Sequence, residues 1–290
     1  MTTEVARPTA VSGKEYQLLI NGKWAPSKSG ETLERRYPAN TDVIVATFPA
    51  ATTEDVDAAI AAARAAFDNP NGWAHIPARQ RADVLRKAAQ IIRDESQELA
   101  KLLASEVGKP VSEAGLEVAL TADVFEYYAG LAMNVTGQVR SNIADDALGL
   151  ILKEPVGVVG IITPWNFPML LATWKLAPAL AVGCTTVVKP ATYTPCTTYE
   201  LGRILTEAGA PAGVINVVTG SGKIVGDRIA ASPHVDKVAF TGSTEVGQHV
   251  MRAAAGNVKK ISLELGGKSP NIIFADAPLQ NAVFGSLMGI

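Results

Sequence analysis

The second half of the chain contains short, almost uninterrupted apolar runs, which alternate with segments long enough for a helix. The runs occupy residues 156–163, 185–188, 214–218, 238–240 and 261–263. Strands that are apolar throughout and alternate with helices are typical of a parallel sheet covered on both faces. The pattern therefore predicts an α/β fold built on a parallel sheet. Ligands of such sheets bind at the carboxyl ends of the strands.

The first half of the chain predicts a hairpin followed by a helical region. Asn21 and Gly22 lie between two apolar runs, and this pair favours a tight hairpin turn because both positions need a positive φ angle. A second strand is predicted over residues 43–48. Apolar residues at helical spacing predict three helices. The first starts at 52–55 with a hydroxyl cap, the second extends over 79–107, and the third runs from a Ser112 cap to about Met133.

The segment between the helices and the apolar runs predicts a projecting β arm. Residues 138–153 form two short strand-like stretches around a turn at 144–146. A two-stranded ribbon is marginally stable by itself and usually packs against something else. The arm therefore predicts contact with a second subunit.

Composition and charge narrow the class of protein. The formal net charge of -2 gives no overall field that favours nucleic acid or an anionic membrane. The longest apolar stretch, 169–188, is interrupted by Lys175, Pro178 and Gly183, which argues against a membrane span. Two cysteines are too few for a disulfide framework, and the first residues lack the apolar core of a secretory signal. We therefore expect a cytoplasmic protein. The histidines lack metal-ligand spacing, so no metal site is predicted.

Two candidate residues follow the first two apolar runs. Residues 163–168 read TPWNFP, and Asn166 in this rigid loop could donate a hydrogen bond to a developing oxyanion. The alternative is a structural turn in which the asparagine satisfies backbone groups, and the loop alone favours that alternative. Lys189 ends the second run and could bind nucleotide hydroxyls or phosphates. A solvated lysine at a strand end is the alternative there.

A third candidate is the segment FTGSTEVG at 240–247, which leads from a strand into a helix. Free N–H groups and the helix dipole at that point suit a phosphate group. A simple hydroxyl cap by Ser243 or Thr244 explains the same residues. The segment is not the G-x-G-x-x-G fingerprint of dinucleotide-binding proteins.

The remaining candidates are an acid and two thiols. Glu264 lies between two leucines at the end of the last apolar run. Burial there would raise the pKa of the carboxyl group, which suits a general base, and a paired structural glutamate is the alternative. Cys184 reads as a small core residue, and Cys196 follows a proline near a helix start, where a thiol pKa can be lowered. Neither cysteine has a histidine or acid nearby in sequence, and neither is predicted to be a nucleophile.

The order and spacing of four motifs resemble the aldehyde dehydrogenase superfamily. They are PWNFP at 164–168, VKP at 188–190, FTGS at 240–243 and ELGGKSP at 264–270. The resemblance extends over essentially the whole chain from about Leu18. It implies an aldehyde dehydrogenase-like fold, binding of NAD or NADP, and a dimer or tetramer.

The resemblance also implies how the chain is divided. The implied parts are the N-terminal part of the cofactor-binding domain (1–137), a β arm for oligomerisation (138–155), a Rossmann-like NAD(P)-binding core (156–267) and the start of a catalytic domain (268–290).

Carried over motif by motif, the resemblance implies the roles of individual residues. Asn166 would be the side-chain donor of an oxyanion hole, and Glu264 would activate the water that releases the product. Lys189 would hold the adenosine ribose, and Ser243 would touch the pyrophosphate. The other residues implied to line the cofactor site are Ile162, Thr163, Pro164, Trp165, Thr192, Gly222, Phe240, Thr241, Gly242, Val246 and Leu265.

The implied reaction is the oxidation of an aldehyde to a carboxylic acid. A cysteine thiolate attacks the aldehyde to give a thiohemiacetal, hydride passes to nicotinamide, and water hydrolyses the resulting thioester. The family's nucleophilic cysteine lies beyond the ELGGKSP motif, at a distance that places it just past Ile290, and neither Cys184 nor Cys196 matches its position. We therefore expect the 290 residues to be inactive alone. The alternative is a non-catalytic dinucleotide-binding or interaction module of the same fold.

A second departure from the family pattern concerns the cofactor. Thr192 lies three residues after Lys189, where NAD-preferring relatives often carry a glutamate that repels a 2′-phosphate. A small neutral residue removes that repulsion. NADP is therefore not excluded, and NAD remains the expected cofactor.

Overall fold

The computed structural model describes residues 10–144 and 146–288. The strands in these ranges are β1 (Lys14–Glu15), β2 (Leu18–Ile20), β3 (Lys23–Ala25), β4 (Thr32–Tyr37), β5 (Asn40–Pro49), β6 (Gln138–Ala144), β7 (Ala147–Ile151), β8 (Val158–Ile162), β9 (Thr185–Lys189), β10 (Ile215–Val217), β11 (Lys237–Thr241) and β12 (Lys260–Glu264). The helices are α1 (Thr53–Asp68), α2 (Ala78–Asp94), α3 (Ser96–Val107), α4 (Val111–Ala132), α5 (Pro168–Ala181), α6 (Cys196–Ala208), α7 (Asp227–Ala231), α8 (Thr244–Ala254) and α9 (Leu279–Met288).

The main sheet confirms the predicted α/β fold. Its strand order is β12-β11-β8-β9-β10-β2-β3, and strands β8 to β12 are parallel to one another. The predicted hairpin, β2–β3, adds two antiparallel strands at one edge, where Leu19 pairs with Val217. Asn21 and Gly22 both have positive φ angles, as the hairpin turn requires. Strands β1, β5 and β4 form a separate sheet, and β6 and β7 form the predicted arm.

The strand order reverses at β8, and this reversal determines where a ligand can bind. From β8 the chain adds β9 and then β10 on one side, and it later returns to add β11 and β12 on the other side. The connections that leave β8 and β11 therefore diverge at the carboxyl ends of these neighbouring strands. Such a topological switch point leaves a crevice, which is the usual ligand site of open parallel sheets.

Alternate side chains of the sheet enter two separate cores. On β8, Val158 and Ile162 belong to the core beneath α1, α7 and α8. Val159 and Ile161 belong to the core that the sheet shares with α2, α4, α5 and α6. Because both faces are covered, the central strands are buried at every position, which explains their continuous apolar sequence.

Three expectations for the N-terminal half need correction. The predicted helix over 79–107 is two helices, because Glu95 leaves the helical conformation (ψ 11°) and its carboxylate pairs with Arg203 of α6. Helix α4 begins after Pro110 and not at a Ser112 cap, because the fixed φ of proline already suits helix entry. The strand predicted over 43–48 is part of the longer β5, which pairs with β4, a strand that was not predicted. Asp145 of the predicted arm turn lies outside the described residues.

The turn before β10 depends on a glycine and provides a test of the packing. Gly213 has φ +82°, and a Cβ atom there would lie 2.6 Å from the Ala62 carbonyl oxygen of α1. Gly213→Ala is therefore expected to lower the free energy of unfolding by roughly 2–4 kcal/mol, from backbone strain and overpacking. The measurement is urea unfolding followed by circular dichroism.

Gly115→Ala is the matched control for this substitution. Gly115 lies inside α4, and an added Cβ would meet nothing within 4 Å. This variant is expected to gain about 0.5–1 kcal/mol, because alanine is the better helix former. Equal effects of the two substitutions would contradict the described packing around Gly213.

Candidate functional site

A cleft of about 600 Å³ opens beside the carboxyl ends of β8 and β11, on the face covered by α7 and α8. Five of the residues predicted for a cofactor site line it, namely Ile162, Lys189, Gly222, Phe240 and Val246. The structure adds lining residues that the motifs did not indicate, namely Lys223, Gly226, Asp227, Glu245, His249, Val250 and Arg252. Most of these lie on α7, α8 and the turn before α7, where sequence alone shows an ordinary amphipathic pattern.

Lys189 is the charged group buried most deeply in the cleft wall. It is 5% exposed, and its ammonium donates to the carbonyl oxygen of Pro190 at 2.8 Å. A lysine ammonium has three donors, so this single bond leaves donor capacity for a ligand. Burial lowers the pKa of Lys189 to about 8. The alternative of a solvated lysine at a strand end is wrong.

The N-terminus of α8 lies at the same cleft. Ser243 is the N-cap, and its hydroxyl accepts the N–H of Val246 at 3.3 Å. The hydroxyl-cap interpretation of this serine is therefore correct. The cap leaves the N–H groups of Thr244 and Glu245, in the first turn, without partners inside the helix. A helix start of this kind attracts anionic groups.

A π-helical turn over Gly222–Gly226 forms another wall of the cleft. Ser221 caps it by accepting the N–H of Ile224 at 3.2 Å. A Cβ atom on Gly226 would point toward Lys189 and Ile162, at 3.9 and 4.0 Å from their side chains. The glycine therefore keeps the space in front of Lys189 open. Single π turns are frequent at functional sites.

Several predicted residues surround the cleft without lining it. The N–H of Thr163 donates to the Lys189 carbonyl at 3.1 Å, and this bond ties the end of β8 to the end of β9. The hydroxyls of Thr163 and Thr241 are buried without a hydrogen-bond partner in the described part of the chain. The Thr192 hydroxyl donates to the Gly220 carbonyl at 3.0 Å. The N–H of Gly242 donates to the Glu264 carbonyl at 3.0 Å.

The loop after β8 and the segment after β12 lie at the protein surface. Trp165 is 60% exposed, Pro164 is half-buried, and the Asn166 side chain is exposed. Leu265 is half-exposed and lies over Gly247 of α8. These residues adjoin the strand ends but do not enter the cleft.

Glu264 faces a second, more apolar groove of about 740 Å³, on the opposite face of the sheet. Its expected burial is wrong. The side chain is exposed, because β12 is the last strand of the sheet and its outer edge is unpaired among the described strands. Trp174 and Tyr127 line the same groove. Glu264 and the cofactor candidates that line the cleft therefore lie on different faces of the sheet.

Lys175 is a groove residue that the motif analysis missed. Burial lowers its pKa, and the nearby Glu264 carboxylate acts in the opposite direction. Both side chains line the groove. The sequence did show a lysine inside an otherwise apolar segment, but this lysine served only as an argument against a membrane span.

Both cysteines are buried, and burial disfavours the thiolate, which is the nucleophilic form. Burial raises the pKa of the Cys184 thiol and raises that of Cys196 well above its usual value. Cys196 begins α6, but its N–H donates at 2.7 Å to the carboxylate of Glu106, which is itself fully buried. The helix start is therefore already occupied by the carboxyl group of Glu106, whose own pKa burial raises. The expectation that this position lowers a thiol pKa is wrong.

The described residues contain neither a metal-binding cluster nor a membrane-spanning helix. Within 10–144 and 146–288, no group of three or more histidine, cysteine, aspartate or glutamate side chains is placed to hold a metal ion. Over the same described ranges, each helix is too short or too polar to cross a bilayer.

The fold and its switch-point cleft define the Rossmann-like class of α/β proteins. Within that class the chain belongs to the aldehyde dehydrogenase family, whose family model matches residues 24–290. The resemblance of the four motifs is thereby confirmed.

Relatives and solved structures agree with this assignment. The chain is 45% identical to betaine aldehyde dehydrogenase 1 of Oryza sativa subsp. japonica, over 98% of this chain and 57% of the relative. It is 45% identical to betaine aldehyde dehydrogenase of Bacillus subtilis, over 94% of this chain and 55% of the relative. The chain spans about half the length of the curated relatives it matches.

The structural comparison gives the same coverage. The crystal structure of an NAD-dependent aldehyde dehydrogenase from Sinorhizobium meliloti superposes with a TM-score of 0.91 at 46% identity, over 94% of this chain and 54% of that one. A betaine aldehyde dehydrogenase from Staphylococcus aureus in complex with NAD+ gives a TM-score of 0.90 at 42% identity, over the same shares. The aldehyde dehydrogenase-like fold is therefore confirmed.

The burial of both thiols leads to a direct chemical test. We expect neither Cys184 nor Cys196 to react with Ellman's reagent at about pH 8 in the folded chain, because the thiolate is the reactive form and burial disfavours it. Both should react after unfolding in guanidinium chloride. Cys184→Ser and Cys196→Ser serve as controls that assign each signal. Prompt reaction of one thiol in the folded chain would contradict the described burial.

Proposed function

We propose that this chain provides the NAD-binding part, and two catalytic side chains, of an enzyme that oxidises aldehydes. The observation that carries the proposal is the cleft at the switch point, where the buried ammonium of Lys189 and the N-terminus of α8 meet. The NAD-dependent relatives of the same fold support it.

The residues present fit a dinucleotide. Lys189 has unused donors and faces the cleft, so it suits the hydroxyls of the adenosine ribose. Ser243 and the start of α8 suit the pyrophosphate. Ile162, Phe240 and Val246 give the cleft apolar walls, which suit the flat face of a base. NAD, when bound, supplies the hydride acceptor.

The catalytic roles belong to the two residues beside the strand ends. We propose that the exposed amide of Asn166 donates to the oxygen of the aldehyde as negative charge develops on it. Glu264 takes a proton from the water that releases the acid. Lys175 lines the same groove as this carboxylate. The nucleophile is neither buried cysteine, so the 290 residues alone are proposed to be inactive.

The substrate class is proposed to be an aldehyde that bears an amino or ammonium group. Several relatives at 42–47% identity are named for betaine aldehyde or aminoaldehydes. The groove beside Glu264 presents Trp174 and Tyr127, which are 53% and 64% exposed. Aromatic faces attract ammonium groups through cation–π interactions.

The arm supports the proposal of a homo-oligomer. Val139, Leu148, Leu150 and Leu152 expose apolar side chains on β6, on β7 and just after it. A patch of this kind on a two-stranded ribbon suits contact with another subunit. A cytoplasmic location and the division of the chain at 138, 156 and 268 also remain predictions.

Calorimetric titration with NAD tests the proposed function. We expect the chain to bind NAD, and Lys189→Met to weaken binding about 10- to 100-fold, because a hydrogen bond to a charged group is lost. Lys237→Met is the matched control: Lys237 is a partly buried lysine whose pKa is also lowered by burial, but it lines the opposite groove. Absence of NAD binding, or equal losses in both variants, would contradict the proposal.

The pH dependence of binding adds a second measurement. As pH rises through about 8, Lys189 loses its proton, and NAD affinity is expected to fall about tenfold between about pH 7 and pH 9. In the folded chain the pKa of Lys189 lies below the usual value of 10.5, so the unfolded chain binds more protons between these two pKa values. Ionisation of Lys189 therefore makes the folded state more stable as pH rises. Unfolding does not account for the loss of NAD affinity. Lys189→Met should show no such dependence.

A further inference from the structure

A buried ion pair lies directly behind the loop that carries Asn166. Glu117 on α4 has a fully buried side chain, and Lys109, in the connection between α3 and α4, has a side chain that is 9% exposed. The Lys109 Nζ atom lies 2.6 Å from Glu117 Oε2. Neither residue belongs to the cleft or to the groove.

Both members of the pair also bind the loop itself. Lys109 Nζ donates to the carbonyl oxygen of Asn166 at 2.8 Å, and it lies 3.9 Å from the centre of the Phe167 ring. Glu117 Oε1 accepts the N–H groups of Met169 at 3.0 Å and Leu170 at 3.1 Å. The loop is therefore held at the carbonyl group of Asn166 and along the residues that follow it, up to Leu170.

The start of α5 explains why a distant carboxylate is needed. Phe167 is the N-cap and offers no side-chain acceptor, and Pro168 occupies the first helical position. The N–H groups of the first turn must find acceptors elsewhere. Glu117 supplies one from α4, and charge-assisted bonds at a helix N-terminus are among the stronger ones.

Stability alone is a weak reason for this arrangement. Desolvation makes buried ion pairs costly, and well-packed apolar residues often replace them without loss. Here each charged side chain also contacts the backbone or the ring of 166–170. The pair therefore determines the conformation of this loop rather than filling space.

We propose that Lys109 and Glu117 are positioning residues that fix the backbone of Asn166, so that its amide stands at the carboxyl end of β8 as an oxyanion donor. The proposal rests on the function proposed above for Asn166. The two act through the loop and touch no substrate.

The test is nuclear magnetic resonance of the chain with 15N-labelled asparagine. Asn166→Asp identifies the Asn166 side-chain amide signals by their loss. We expect Lys109→Met and Glu117→Gln to shift and broaden these signals. The amide of Asn216, which donates to the carbonyls of Thr186 and Gly213, should remain unchanged because its strand is unaffected. Lys109→Arg retains the positive charge and its donors, and it should restore most of the original Asn166 signal.

Lys14→Met is the matched control. Lys14 also pairs with a glutamate, Glu200, and lies 5.8 Å from the centre of a tyrosine ring, but its strand, β1, belongs to the separate sheet β1-β5-β4 and not to the sheet of β8. It should leave the Asn166 signals unchanged. If Lys109→Met fails to fold, Glu117→Gln provides the measurement, because its amide oxygen still accepts a backbone N–H.

The outcomes separate this proposal from the proposed function. Unchanged Asn166 signals in the folded Lys109 or Glu117 variants would overturn the positioning role, whether or not the chain binds NAD. A shift of the Asn216 signals of equal size would also overturn it, since the effect would then be global. Failure of the wild-type chain to bind NAD, with the Asn166 signals still sensitive to Lys109→Met, would instead count against the proposed function and leave the positioning supported.

Discussion

The candidate site depends on one topological constraint, the reversal of strand order at β8. Strand β8 lies between β9 and β11, so the chain must leave two neighbouring strand ends in opposite directions. This divergence opens the cleft that Lys189 faces and places the start of α8 beside it. The N–H of Thr163 bonded to the Lys189 carbonyl keeps the ends of β8 and β9 together. Without that reversal the motif residues would lie along an edge with no crevice between them.

The alternation of side chains along the strands separates two tasks. Ile162 and Phe240 face the cleft, whereas Glu264 faces the groove on the other side of the sheet. A bound dinucleotide and a groove-bound aldehyde would therefore meet only where the strands end. The Asn166 loop lies at that place, and the buried Lys109–Glu117 pair holds its backbone. The position of the Asn166 loop therefore matters more for such a site than the depth of either the cleft or the groove.

The sequence predicted the sheet because continuous apolar runs admit few other structures. Local chemistry predicted the hairpin turn at Asn21 and Gly22, and the hydroxyl cap of the helix that starts at 52–55. It failed where tertiary contacts decide. The break at Glu95 depends on Arg203, more than a hundred residues away, and the exposure of Glu264 depends on β12 being an edge strand. Lys109 and Glu117 carry no local signal, since their contacts with the Asn166 loop arise only on folding. The motifs indicated residues of the site, but they did not indicate that these residues are divided between the two faces of the main sheet.

A crystal structure of this chain with NAD tests the central claim most directly. We predict that the adenosine ribose lies within hydrogen-bonding distance of Lys189 Nζ. The pyrophosphate should lie over the first turn of α8, and the adenine should pack against Val246. NAD bound in the groove beside Glu264, or absent from the cleft at saturating concentration, would contradict the account.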